Sequence, residues 1–191
     1  MAEQVKVGKR KVAWGITGAG DKIAEYIEAM KEIQREYAET VEIHVFLSKA
    51  AELVLKYYKL EEDLRRSFQK VSVEINSNTP FLAAWMQMRK YEFLLIAPAT
   101  SNTVAKIANS IGDTLLTNAA IMSLKAFVPV YIAPTDYKVG TVSTILPNGK
   151  EMKLRVRREE VEQVEKLRRM EDVHVLEGPE QILEAFKIHF G

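Results

Sequence analysis

The chain has 191 residues, of which 47% are hydrophobic and 28% charged, and its formal net charge is +1. This composition predicts a globular protein with a sizeable core, and the small net charge gives no reason to expect nucleic acid or a membrane surface as a partner. The absence of cysteine excludes disulfides, thiolate nucleophiles and cysteine-ligated iron–sulfur clusters within the chain. Because it has neither an apolar run of about 20 residues nor a signal-peptide pattern, the protein is expected to be cytoplasmic.

Strand and helix patterns alternate along the first 136 residues. Apolar runs predict five strands: "KVAWGIT", "VEIHVFL", "VSVEIN", "FLLIAP" and "VPVYIAP". Helical spacing of apolar residues follows the first four of these runs, and two helices are predicted after the fourth. Near-continuous apolar strands separated by helices are typical of a parallel sheet that is covered on both faces. We therefore predict an α/β fold, Rossmann-like (flavodoxin-like), with a doubly wound parallel sheet in three layers.

The last third of the chain has a different pattern. Two extended runs flank Asn148-Gly149, a dipeptide typical of a hairpin turn. A charged helix over about 158–170, a strand "VHVL" and a helix "PEQILEAFKIHF" follow. One domain is expected, with a core over about 10–136, a protruding hairpin over about 141–157 and C-terminal elements over 158–191. The three histidines, which lack metal-ligand spacing, are interpreted as structural: His44, His174 and His189.

Three predicted loops carry polar or glycine-rich sequences at the carboxyl ends of strands, where open parallel sheets bind ligands. In "TGAGDK", Gly18 and Gly20 permit close backbone approach, and the following helix offers N–H groups to a phosphate. The alternative is a tight turn that needs glycine only for its dihedral angles. Ser48 directly follows the second strand and equally suits a helix N-cap. Residues 100–103 are four consecutive polar residues, more than one cap requires, so we expect the three loops to bind a phosphorylated ligand together.

Two common nucleotide sites do not match this pattern. In the dinucleotide motif G-x-G-x-x-G, Ile23 occupies the third glycine position. Ser48 follows the strand that would end in an acidic residue for the ribose hydroxyl. No Gly-Lys-Ser/Thr sequence follows the first strand at the spacing of a P-loop. A nicotinamide dinucleotide and a P-loop nucleotide are therefore both rejected.

The segments "GITGAG", "PATSNTVAKIANSIGDTLLT" and "PTD" together resemble the flavoprotein superfamily of homo-oligomeric flavin-containing decarboxylases and their relatives. Ser110 replaces the glycine that is usual in the second segment, and the resemblance extends over roughly the whole chain to Asp136. It implies bound FMN and a homo-oligomer, a trimer or multiple of trimers, that completes the flavin site across a subunit interface. The cofactor contacts that it implies are Gly18, Ala19, Gly20, Ser48, Ala99, Thr100, Asn102, Thr103, Asp113, Thr114 and Leu115.

Departures from the family pattern narrow the activity. Residues 74–88 contain no histidine, whereas the cysteine-decarboxylase branch carries a catalytic one in this region. Thr135 and Asp136 replace the methionine and asparagine with which that branch binds the substrate carboxylate. Cysteine decarboxylation is therefore rejected. "GAGDK" also differs from the Ser-Gly-rich first loop of the flavin prenyltransferases, which remain a less favoured alternative.

The "PTD" segment and the hairpin resemble the archaeal flavoproteins and dihydromethanopterin reductases. This resemblance implies an FMN-dependent oxidoreductase without catalytic side chains of its own, because the flavin carries out the redox chemistry. The electron donor would be a separate ferredoxin-type iron–sulfur protein, and the acceptor a pterin contacted by Asp136 and Tyr137. Asp136 is equally well explained as a turn residue. A non-catalytic electron carrier remains a further alternative.

The sequence also offers a candidate docking site for an acidic ferredoxin. Arg155, Arg157 and Arg158 lie close together in the charge-dense run that follows the hairpin turn. A positive cluster of this kind can steer a negatively charged partner. The same run contains many glutamates, so a solvated helix face explains it at least as well.

Overall fold

A sheet of six parallel strands forms the centre of the computed structural model, which describes residues 8–191. A separate pair of antiparallel strands forms a hairpin. The sheet contains β1 (Arg10–Ile16), β2 (Val41–Leu47), β3 (Lys70–Val73), β4 (Leu94–Ala99), β5 (Val130–Pro134) and, after the hairpin strands β6 (Gly140–Ile145) and β7 (Glu151–Val156), β8 (Val173–Val175). The predicted parallel sheet and hairpin are both confirmed.

Eight α-helices accompany these strands in the described part of the chain. They are α1 (Ile23–Glu36), α2 (Lys49–Tyr57), α3 (Glu61–Ser67), α4 (Leu82–Gln87), α5 (Ser101–Ala108), α6 (Leu115–Lys125), α7 (Arg158–Arg168) and α8 (Ile182–Phe190). The sequence pattern predicts the helix that begins at Lys49 but does not predict α3. Lys59, which follows α2, has a φ of 58°, and this left-handed conformation breaks the helical path between the two.

The strand order of the sheet is β3-β2-β1-β4-β5-β8. β2 and β3 lie on one side of β1, whereas β4 and the later strands of the sheet lie on its other side. This order places a topological switch point between β1 and β4, where doubly wound sheets bind ligands. The doubly wound architecture predicted from the sequence is therefore confirmed.

The core consists of two apolar clusters, one on each face of the sheet. On one face, Trp14 of β1 packs with Met30 of α1 and Phe186 of α8. On the other face, Leu116 of α6 and Val164 of α7 pack against the sheet. Burying a large apolar side chain contributes about 1.5–3 kcal/mol, so the two clusters fix the helices against the sheet. They hold the carboxyl ends of the strands in a rigid row.

His44 lies in the middle of β2, away from the carboxyl edge of the sheet. Its side chain is buried, and Nδ1 is 2.9 Å from the Tyr91 hydroxyl. Nε2 is 3.1 Å from Oε1 of Glu42 but lacks hydrogen-bond alignment. Among residues 8–191, no group of three or more His, Asp or Glu residues is arranged to hold a metal. In the same range no helix is long and apolar enough to cross a membrane.

The protein should become less stable as the pH is lowered from neutral, because of His44. Burial lowers the pKa of His44 below its ordinary value of 6.5, although Glu42 opposes the shift. The unfolded chain therefore binds a proton that the folded protein resists, and stability is lost as the pH falls below 6.5. The expected slope is at most about 1.4 kcal/mol per pH unit for this histidine. Urea unfolding at pH 7.5 and 5.5 measures the loss of unfolding free energy between the two pH values. The substitution His44→Gln should reduce this loss. An equal loss in the variant and the parent protein would contradict the role of His44.

Candidate functional site

Five neighbouring strand ends form a row of loops along one edge of the sheet. In spatial order they are Glu74 after β3, Ser48 after β2, residues 17–20 after β1, residues 100–103 after β4 and residues 135–136 after β5. Neighbouring strands are about 4.8 Å apart. The row is therefore long enough for an extended mononucleotide lying across the switch point.

Thr17 joins the two loops at the switch point. Its side chain is only 2% exposed, and its hydroxyl donates to the Pro98 carbonyl at 2.8 Å. The same oxygen accepts the backbone N–H of Thr100 at 2.9 Å. The end of β1 and the start of α5 are thus held together by one hydroxyl group. The sequence pattern did not single out Thr17 as a site residue.

The two glycines of the first loop differ in how strongly packing requires them. Neither Gly18 nor Gly20 has a positive φ, so the dihedral explanation for them does not hold. A Cβ atom on Gly18 would lie 2.6 Å from the Cβ of Ala50, and one on Gly20 would lie 2.8 Å from the Tyr58 hydroxyl oxygen. Close approach of this loop to α2 therefore requires Gly18, because the Cβ of Ala50 cannot move independently of the helix backbone, whereas the end of the Tyr58 side chain can shift away from a Cβ atom at Gly20.

Gly18→Ala is expected to destabilise the protein by about 1–3 kcal/mol, because it forces α2 away from the first loop. Gly8→Ala is the matched control, since a Cβ atom there meets nothing within 4 Å. It should change stability by less than about 0.5 kcal/mol. Thermal unfolding of both variants measures the difference. Equal stability of the two variants would show that the loop tolerates a side chain.

A cavity of about 330 Å³ opens between these loops and the hairpin. Its floor is formed by residues 18–21, Tyr58, Thr100 and Ser101, with Thr135 and Asp136 at one side. Its remaining wall is one face of the hairpin: the cross-strand pairs Val142–Leu154 and Thr144–Met152. The hairpin therefore forms one wall of the cavity, a position that the sequence pattern left open.

The charged side chains that line the cavity, Asp21 and Asp136, are both acidic. Asp136 accepts hydrogen bonds from the hydroxyls of Ser101 and, at 3.2 Å, Thr135. Burial raises the pKa of Asp21; the positive charge of Lys22 opposes this shift, and the negative charges of Glu25 and Asp136 add to it. No lysine, arginine or histidine lines the cavity within the described chain. This end of the site suits ligand groups that donate hydrogen bonds and disfavours a phosphate.

An anion has a better position at the first turn of α5. Thr100 caps this helix by accepting from the N–H of Thr103, and the first turn contains no acidic residue. Within residues 8–191, the backbone N–H groups of Ser101 and Asn102 have no partner. Free N–H groups at a helix N-terminus are a general phosphate-binding arrangement.

The other end of the row combines Ser48, Glu74 and the start of α6. Ser48 caps α2, and Thr114 caps α6 in a reciprocal arrangement with Thr117. The Glu74 carboxylate accepts the N–H of Leu115 at 2.8 Å and that of Lys49 at 3.2 Å. The first N–H group of each of these two helices is therefore covered by a carboxylate, in contrast to α5.

The residues expected to contact the cofactor are distributed unevenly over this site. Gly18, Ala19, Gly20, Thr100 and the expected acceptor contact Asp136 line the cavity. Ser48 and Thr114 lie at the Glu74 end of the row. The side chains of Ala99, Thr103 and Leu115 are buried in the core.

Three further expected contacts lie away from the cavity lining. Asn102 is exposed on the side of α5 that faces α7. Asp113 is exposed and pairs with Lys106 at 2.9 Å. Tyr137 is partly buried against the apolar cluster on the α6 face. For these three residues the expected ligand contacts stay predictions.

A crevice at the switch point of a doubly wound sheet, with free N–H groups at one helix, defines a mononucleotide-binding type of α/β protein. A model of the Flavoprotein family matches residues 1–188. The chain belongs to this family, and the resemblance found in the sequence is confirmed.

Individual relatives extend this result. The chain is 49% identical over 179 residues to an uncharacterised protein of Methanocaldococcus jannaschii, covering 94% of this chain and 95% of that protein. It is 31% identical over 237 residues to dihydromethanopterin reductase (acceptor) from the same organism, covering 93% and 96%. Among solved structures, Burkholderia xenovorans DmrB in complex with FMN, a cubic protein cage for redox transfer, has a TM-score of 0.79 and 32% identity, covering 95% of this chain and 96% of that one.

Proposed function

We propose that the protein binds FMN along the carboxyl edge of the sheet and acts as an oxidoreductase. The observation that carries this proposal is the crevice at the switch point in a member of the Flavoprotein family. The relatives named dihydromethanopterin reductase and the FMN-bound DmrB structure support the same activity. Bound FMN supplies one- and two-electron transfer, and the protein positions and tunes it.

The residues of the edge fit FMN. The N–H groups of Ser101 and Asn102 would hold the phosphate, because neither has a hydrogen-bond partner within residues 8–191. The nearest carboxylate, that of Asp136, is occupied by the Ser101 hydroxyl. Residues 18–20 would lie along the ribityl chain, where their backbone permits close approach. Ser48 and the N-terminus of α6 would contact the ring. The assignments for residues 18–20, Ser48 and the start of α6 follow the family resemblance, whereas the phosphate position is proposed from the free N–H groups of α5.

For the acceptor we propose a reduced pterin bound in the cavity beneath the hairpin. A pterin ring presents N–H groups that match the Asp136 carboxylate, and its flat faces match the Val142, Met152 and Leu154 side chains. Reduction of a dihydropterin to a tetrahydropterin takes up two electrons and two protons. The raised pKa of Asp21 keeps a carboxyl proton in the cavity to a higher pH than an ordinary aspartate would.

For the donor we propose a ferredoxin-type protein that supplies the two electrons singly. The chain has no cysteine with which to hold an iron–sulfur cluster. Arg157 is engaged by Glu160. Arg155 and Arg158 have no acidic partner within 4 Å in the described residues, so these two are the better candidates for attracting an acidic partner.

We also propose that the protein is a homo-oligomer based on trimers. Three large apolar side chains are exposed near α4 and the end of α6: Phe81 (61%), Met88 (57%) and Phe127 (76%). The Arg89 guanidinium lies 5.6 Å from the centre of the Phe127 ring, which places Phe127 close to the end of α4 that Met88 follows. Exposed apolar surface of this kind is typical of subunit interfaces. Sedimentation velocity of the purified protein tests the assembly.

Two other activities make different predictions. Flavin prenyl transfer requires a phosphate of the prenyl donor close to the flavin, and the acidic cavity without a basic side chain disfavours it. A pure electron carrier would exchange electrons with ferredoxin but would not reduce a pterin.

The deciding experiment is an absorption spectrum followed by anaerobic titration with reduced ferredoxin. Flavin bands that bleach on titration and recover when dihydropterin is added would support the reductase. Bleaching without recovery would favour the electron carrier. A colourless protein that fails to take up FMN would contradict the proposal.

A further inference from the structure

The Glu74 carboxylate connects the N-termini of two helices at the edge of the sheet. Oε1 accepts the backbone N–H of Leu115, the first residue of α6, at 2.8 Å, and Oε2 accepts that of Lys49, the first residue of α2, at 3.2 Å. The Glu74 backbone is itself fixed, because its N–H donates to the Leu47 carbonyl at 2.8 Å. Both oxygens of one half-buried side chain are thus committed to helix ends.

Glu74 is not needed to cap either helix in the ordinary way. Ser48 and Thr114 already accept the N–H group of the third residue of α2 and α6, respectively. The effect of Glu74 is therefore mainly electrostatic. A helix N-terminus carries about half a positive charge, so the two termini together present about one unit, and the carboxylate cancels it.

We propose that Glu74 is a tuning residue of the flavin site, which weakens the binding of reduced FMN relative to oxidised FMN. This inference rests on the proposed function, in which Ser48 and the start of α6 contact the flavin ring. Reduction adds electron density to the ring, and two uncovered helix N-termini would stabilise it. The Glu74 charge removes that stabilisation, because charge near the ring tunes the electronics of the cofactor. A flavin that holds its electrons less tightly passes them more readily to an acceptor.

The test compares neutral and charged side chains of equal length at this position. Glu74→Gln removes the charge from the natural side chain. Glu74→Asp and Glu74→Asn form a second matched pair, in case the first variant is unstable. Glu165→Gln is the control for net charge, since Glu165 lies on α7 in a surface pair with Arg168. The measurement is the midpoint potential of bound FMN, obtained by anaerobic spectroscopic titration, together with the dissociation constant of oxidised FMN.

In Glu74→Gln, the preference for reduced over oxidised FMN should increase about tenfold, equivalent to a rise of about 30 mV for a two-electron couple. The midpoint potential of Glu74→Asn should be higher than that of Glu74→Asp. The midpoint potential of Glu165→Gln should equal that of the parent protein. If Gln changes the affinity for both redox states equally, Glu74 merely competes with the ligand and the inference is wrong. If Asp and Asn shift the potential alike, the role is structural and the inference is equally wrong.

These outcomes are separable from failure of the proposed function. Normal FMN binding with an unchanged potential in Glu74→Gln overturns only the tuning role. Failure of the parent protein to bind FMN overturns both proposals.

Discussion

Thr17→Val is expected to loosen the switch point and to lower FMN affinity about tenfold or more. Valine has nearly the same shape as threonine but cannot accept the Thr100 N–H or donate to the Pro98 carbonyl. The carbonyl keeps a bond from the Thr17 backbone N–H at 3.3 Å, so the main loss is at Thr100. An unpaired polar group of this kind costs about 1–3 kcal/mol, and every 1.4 kcal/mol corresponds to about a factor of ten in affinity.

The loss should appear in ligand binding as well as in stability, because Thr100 begins the helix whose N–H groups would hold the phosphate. Thr17→Ser is the matched control, since serine keeps both hydrogen bonds and removes only a methyl group. Fluorescence titration with FMN and thermal unfolding measure the two effects. A valine variant that unfolds at a lower temperature and still binds FMN like the serine variant would show that Thr17 stabilises the fold without shaping the site.

Much of the fold follows from local sequence patterns. The bounds of β2 agree with the run "VEIHVFL", because a continuous apolar segment between polar flanks has few alternative structures. Helices α5 and α6 begin directly after Thr100 and Thr114, residues whose hydroxyls favour N-caps. The hairpin follows from Asn148-Gly149. In each case the signal lies within a few residues of the structure that it determines.

The chemistry of the site is less local, and the sequence predicted it only in part. Thr17 contacts residues 81 and 83 positions away, and Glu74 contacts helices 25 and 41 positions away. The sequence pattern predicts Glu74 within the strand "VSVEIN", but β3 ends at Val73, and the glutamate side chain reaches both helix ends. Such contacts depend on strand order and packing, which no short segment encodes. The resemblance identified the correct loops and could not supply the hydrogen bonds between them.

The hairpin illustrates the same limit. The turn sequence is enough to predict that a hairpin forms. Its position over the cavity depends on packing against distant residues. Alternation along β6 and β7 places Val142, Thr144, Met152 and Leu154 on the face that lines the cavity. An isolated two-stranded hairpin is only marginally stable. A ligand held against its apolar face would therefore stabilise the hairpin in return.

Removal of the hairpin should abolish most of the acceptor reaction and leave FMN bound. Gly140 and Val156 are paired across the two strands, so residues 141–155 can be replaced by two glycines without displacing the ends. A ligand that partly buries the three apolar side chains Val142, Met152 and Leu154 would lose about 3 kcal/mol of binding free energy when they are removed. This predicts a drop of about 100-fold in kcat/KM for dihydropterin. Reoxidation of the bound flavin by dihydropterin, followed by stopped-flow absorbance, measures it.

Two point substitutions on β6 distinguish a cavity wall from a mere spacer. Val142→Lys places a charge on the face that lines the cavity, whereas Ser143→Lys places the same charge on the neighbouring residue, which does not line it. Only the first should lower kcat/KM for the acceptor, by about tenfold or more, since it brings an ammonium group into the space of the ligand ring. Equal effects of both lysines would mean that charge near the site, and not the hairpin wall, controls the reaction. If neither lysine has an effect, the acceptor must approach the flavin from another side, and the assignment of the cavity beneath the hairpin would be wrong.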